Sequence, residues 1–152
     1  MVPFLLFLTR AEAIDLSATG GWTETVDETD LVSGAGSDLI DTYESATDAT
    51  TMTIYNCTGD TDNWQIKVRR IDEGGWHQDF TLSVKRTSDG NGNGSVSGGL
   101  SYIEITTTDT ELFSGAGNRS NISIQYKLTG MSINVSPDSY SKTIAFTVVD
   151  IP

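Results

Sequence analysis

The chain is short of the residues that most protein chemistry needs. Its 152 residues include one cysteine, Cys57, and one histidine, His77. That inventory excludes a Cys/His zinc site, an iron–sulfur site and an internal disulfide. Cations are scarce as well: nine Lys and Arg stand against 21 Asp and Glu, a net charge of −12 at pH 7. Such a field repels nucleic acid and anionic lipid, so phosphate-backbone partners are excluded. No apolar run reaches the roughly 20 residues of a membrane helix, and no membrane span is expected. A Ser-His-Asp triad would have to form around His77, yet no G-x-S-x-G elbow or other nucleophile motif is present. His77 lies in Gly74-Gly75-Trp76-His77-Gln78-Asp79, where a loop histidine beside a tryptophan reads as a surface or packing residue. No carboxylate pair stands out for glycoside hydrolysis. The expectation is a non-enzyme without metal or cofactor.

What the chain does have is 21 Thr, 16 Ser and 15 Gly, a bias toward strands and turns. Alternation with a period of two dominates. In Trp64-Gln-Ile66-Lys-Val68-Arg-Arg70 the apolar residues share one face, and Phe80-Thr-Leu82-Ser-Val84-Lys-Arg86 repeats the pattern. Ile122 to Leu128, Met131 to Val135 and Ile144 to Val148 do so again, with weaker candidates at Met52–Ile54, Tyr102–Ile105 and Leu112–Phe113. No stretch carries a 3.6-residue stripe, although Asp38 to Ala49 has room for a helical turn. One apolar and one polar face per strand is the signature of antiparallel sheets packed on one side and wetted on the other. The pattern predicts an all-β fold, a sandwich of two antiparallel sheets with Ig-like, Greek-key connections; a closed barrel is the competitor.

Several local motifs invite a chemical reading. Asp89-Gly-Asn91-Gly-Asn93-Gly94 matches the opening of a calcium loop, but the twelfth position is Leu100 rather than a bidentate carboxylate. A hairpin turn between Val84-Lys-Arg86 and Ser101-Tyr-Ile103 explains the same letters. Trp22, Trp64 and Trp76 are candidates for a sugar-stacking platform, with Trp64 assigned to the core by its phase in the strand. Glu28–Ser37 and Asp109–Asn118 agree at six of ten positions, which reads as two equivalent corners of the sandwich. Cys57 reads as a small buried hydrophobe.

The N-terminus points to export. Val2 to Leu8 is apolar and Ala11-Glu12-Ala13 has the A-x-A form of a secretory cleavage site, which predicts a signal remnant over 1–13 and a mature start at Ile14. Five N-x-S/T sequons, at Asn56, Asn93, Asn118, Asn121 and Asn134, are candidate glycosylation sites and agree with a surface-exposed product. The mature start then alternates: Ile14, Leu16, Ala18, Gly20 and Trp22 lie on one parity, with Asp15, Ser17, Thr19 and Gly21 on the other. A terminal strand of this kind either completes its own sheet or adds to the open edge of a neighbour. The reading is 14–26 as an N-terminal donor strand and 27–152 as one sandwich domain.

The end of the chain, Pro137-Asp-Ser-Tyr140-Ser-Lys-Thr-Ile144-Ala-Phe146-Thr-Val148, resembles the closing P-x-x-Y-x-x-x-I-x-F-T-V strand of exported fimbrial and spore-coat-U-type subunits. The resemblance implies a pilin-like sandwich, a tyrosine at the corner before the last strand, secretion, and assembly by donor-strand exchange. The paired cysteines common in chaperone–usher pilins are missing. The function expected is therefore a secreted structural subunit of a cell-surface filament. Its partners are copies of itself in a helical homopolymer, joined through Ile14, Leu16, Ala18, Gly20 and Trp22, with cell-surface or glycan contacts. The alternative is a monomeric adhesion or carbohydrate-binding module.

Overall fold

A computed structural model describes residues 13–71 and 74–152. The expected export segment, apart from Ala13, lies outside the described residues. Among the described residues ten strands form two antiparallel sheets: β1 (Asp15–Gly20), β2 (Tyr43–Glu44), β3 (Thr50–Tyr55), β4 (Asn63–Arg70), β5 (Thr81–Arg86), β6 (Ser95–Ser97), β7 (Ile103–Glu104), β8 (Thr110–Ala116), β9 (Arg119–Thr129) and β10 (Ile144–Ile151). The larger sheet runs β1-β3-β9-β5-β7, with β2 also pairing with β9, and the smaller runs β10-β4-β8-β6. The all-β sandwich expected from the alternation is the fold observed.

The alternation works as expected where it is longest. Trp64, Ile66 and Val68 on β4 are fully buried, as are Ile122 and Ile124 on β9 and Val84 on β5. Each such side chain contributes about 1.5–3 kcal/mol on leaving water. Trp64 meets Phe113 edge-on at 6.0 Å and donates its indole N–H to the Gly117 carbonyl at 2.9 Å. Leu112 and Phe113 are adjacent yet both buried. The reason is a shift in the β4–β8 register, where Ile66 faces Phe113 and Lys67 faces Glu111. A bulge of this kind lets two successive residues turn inward. Gly115 is required here because a Cβ would lie 2.5 Å from the Trp64 ring.

Four expectations fail locally. Met131–Val135 forms a turn instead of a strand, because Asp38 Oδ1 and the Asp41 carboxylate hold Ile133 N–H and Gly130 N–H from the side. Asp38–Ala49 carries β2 and no helix; the single helical piece among the described residues is the 3-10 turn Glu28–Asp30, capped by Asp27. The repeated decapeptides are not equivalent corners. Asp109–Asn118 contains β8 in the core, whereas Glu28–Ser37 is a surface turn closed by the Leu31–Leu39 bridge. The same letters take different structures because only the second copy has β4 and β6 on either side. Finally, β5 and β7 do pair, through Ser83–Glu104 and Val84–Ile103, but no tight hairpin joins them. The chain between them crosses to the other sheet to form β6.

Candidate functional site

The registers sort the molecule into two poles. Asp15, Tyr55 and Arg119 mark one end of the larger sheet, and Asn63 and Ile151 mark the same end of the smaller one. Gly20, Thr50, Thr129, Thr81, Arg70 and Ile144 mark the other end. The first pole is closed. Arg119, only 9% exposed, donates to the carbonyls of Asp89 and Gly92, each at 2.7 Å. Arg86, 3% exposed, donates to the Gly98 carbonyl at 2.8 Å and pairs with the Asp89 carboxylate. The stretch whose letters open like a calcium loop therefore wraps its carbonyls around a guanidinium. Among the described residues no group of three His, Cys, Asp or Glu is arranged to hold a metal.

The second pole is open. A groove of about 940 Å³ lies there between the sheets, floored by Leu82, Tyr126, Leu128 and Phe146. Its walls include Trp22 and Trp76, which the sequence offered as platform residues, together with Phe80 and Tyr140. Trp64 is absent from it, being sealed in the core. The wall rings hold one another: Phe80 meets Trp76 at 5.4 Å, Tyr140 at 5.0 Å and His77 at 5.3 Å. His77 is thus a packing residue. Tyr140 Oη donates to the Ser136 carbonyl at 2.8 Å and pins the corner ahead of β10. Trp22 and Trp76 spend their indole N–H groups on Glu24 and the Phe80 carbonyl, which fixes the planes of both rings. Tyr126 bonds Thr50 at 2.8 Å, and burial raises its phenol pKa above the usual tyrosine value.

The expected donor strand runs along one flank of both poles. Within the single chain, β1 pairs antiparallel with β3, from Asp15–Tyr55 through Gly20–Thr50. Ile14 is buried, and Leu16 and Trp22 are partly buried against the core. Ala18 and Gly20 share their parity but are exposed at the groove rim. Gly20 takes φ +110° and lies against the Ala49 carbonyl, which a Cβ would overlap. Gly21–Asp27 leaves the strand without joining either sheet. On the same flank of the other sheet stands β10, whose single strand neighbour among the described residues is β4.

All five sequon asparagines are exposed. Asn56 donates its amide to Asp15 at 2.7 Å, and Asn118 accepts from the Cys57 N–H at 2.9 Å. Cys57 is partly buried, and burial with Asp62 and Asp150 nearby pushes its thiol pKa up. Sequence reasoning missed Arg86 and Arg119; the one available signal was a pair of arginines flanking a Gly/Asn-rich stretch in a cation-poor chain. It also missed the groove, whose lining comes from five separated segments. The chain matches no protein-family model, no curated protein and no solved structure in the comparisons made.

Proposed function

We propose that the protein is a structural subunit of an extracellular filament in which each copy lends Ile14–Trp22 to the next. The observation that carries this reading is the placement of β1. It is an edge strand held by one ladder to β3, with its exit segment Gly21–Asp27 outside both sheets. A neighbour's copy of the same strand can form the same six pairs with β3, so exchange costs little at equilibrium. When the exchange does not close on itself, it propagates as a fibre. The export segment in the sequence and the five exposed sequons support a surface location. Deletion of residues 14–22 followed by electron microscopy tests the reading. Filaments are expected from the full chain and none from the truncated one; filaments of normal length from the truncated chain overturn it.

A second reading is favoured by one specific observation, the presence of both Trp22 and Trp76 in the lining of the open groove. Aromatic faces with fixed planes beside carboxylates and hydroxyls suit a sugar ring. On this reading the protein is a carbohydrate-binding module, and Trp76→Ala abolishes binding on a glycan array while leaving a folded monomer.

A further inference from the structure

Among the described residues five strands have a single strand partner: β1, β2 and β7 in one sheet, β10 and β6 in the other. Three are short, β2 and β7 with two residues each and β6 with three. β1, with six, carries an acid at one end and a glycine at the other. β10 is different. It has eight residues, Ile144-Ala-Phe-Thr-Val-Val-Asp-Ile151, with no proline, no lysine and a single charge at Asp150. It pairs in one continuous register with β4, with no bulge to twist it aside. Among the described residues, no backbone hydrogen bond joins it to any other segment. Natural sheets blunt such edges by shortness, lysine, proline or bulges, and β10 has none of these.

We infer that β10 is a homodimer edge, pairing antiparallel with β10 of a second copy about a two-fold axis at Thr147. What is unsatisfied along an edge is backbone, and only another strand satisfies it in register. A two-fold perpendicular to the sheet keeps both sandwiches on one side and pairs residues whose numbers sum to an even value. Centring it on Thr147 sets Thr147 against itself and Phe146 against the second copy's Val148. These are hydroxyl and aromatic–β-branched cross-strand pairs of the kinds that stabilise antiparallel sheets. Phe146 and Val148 are only partly buried in the single chain, packed at the margin of the core.

Charge selects the same register. Arg70 faces Ile144 on β4 and its Nε is buried without a hydrogen-bond partner. In the proposed pairing, Asp150 of the second copy lands opposite Ile144, on the face that carries Arg70. The two residues are then two strand spacings apart, about 10 Å between backbones, a gap that an arginine and an aspartate bridge. The two-fold makes this contact twice. It also closes the edge, so β10 stops at a dimer and does not recruit further copies.

The test is sedimentation of that fraction of the full chain that is not in filaments. A species of twice the 16.4 kDa chain mass is expected. Val149→Lys places a lysine on each strand, opposite Ala145, and is expected to give a monomer that still unfolds cooperatively, at a temperature that no longer depends on protein concentration. Asp150→Arg weakens the dimer by about tenfold, and adding Arg70→Asp restores it. In a Cys57→Ser background, Thr147→Cys oxidises to a covalent dimer, whereas Val149→Cys does not. A wild type that stays monomeric at every concentration, or a dimer indifferent to Val149→Lys, overturns the inference. It is independent of strand exchange: a full chain that gives no filaments is still expected to sediment as the β10 dimer.

Discussion

The two poles of the sandwich solve the same problem with opposite means. At both, strands end and loops must cover the core. At the Arg119 pole the loops carry little apolar surface, and two buried guanidinium groups gather their carbonyls. At the Tyr140 pole the loops bring rings instead, and these pack edge to face without closing the gap between the sheets. Charge-assisted hydrogen bonds are directional and draw backbone tightly over a point. Edge-to-face rings tolerate many offsets and leave space. The closed pole is therefore built for cohesion, and the open one has a surface to offer.

The largest test of this contrast removes the organiser of each pole in turn. Arg119→Met is expected to cost about 3 kcal/mol in urea unfolding, because it removes the charge-assisted bonds of a buried guanidinium to the carbonyls of Asp89 and Gly92. Tyr140→Phe removes one hydrogen bond from a part-exposed hydroxyl and is expected to cost about 1 kcal/mol. Equal losses at the two sites would erase the distinction.

Alkali gives a smaller effect. Burial, aided by the Glu44 carboxylate, raises the Tyr102 pKa to about 12, and burial raises Tyr126 at the open pole as well. An unfolded tyrosine ionises near pH 10. Both groups resist ionisation more in the fold than in the unfolded chain. Their contribution is complete below about pH 10 and is lost as pH rises toward about 12 for Tyr102. Melting temperature is expected to fall across that window, less steeply in Tyr102→Phe. A flat profile would contradict the direction of both shifts.

The smallest effect is chemical. With its thiol pKa raised by burial and by Asp62 and Asp150, Cys57 at the closed pole is expected to react with a disulfide reagent more slowly than a free thiol at neutral pH. Reaction at the free-thiol rate would show that this pole opens readily.

Legibility followed the range of the interactions. β4, β5, β9 and β10 were readable because alternation reports which residues share a face, and long strands repeat that message. The strand at Ile14–Trp22 was readable for the same reason, although the outward exposure of Ala18 and Gly20 was not. β2 and β7, with two residues each, carry no period to detect. Leu112–Phe113 needed the bulge opposite Ile66 before two adjacent apolar residues made sense. Met131–Val135 has the alternation of a strand, but no neighbouring strand is there to pair with it. The candidate sites divided likewise. Trp22 and Trp76 were picked out singly by residue type, yet their place in one groove with Phe80 and Tyr140 depends on loops far apart in the chain.

By itself, the order of residues determined the all-β class, the inward faces of the long strands and the exclusion of sites that need clustered cysteine and histidine. These are properties of composition and of side-chain parity along one strand, and each is local. The tertiary structure alone decided which strands became neighbours, which decapeptide entered the core and which pole closed around arginine. Those outcomes arise from backbone pairing between distant segments, and a period of two is silent about partners.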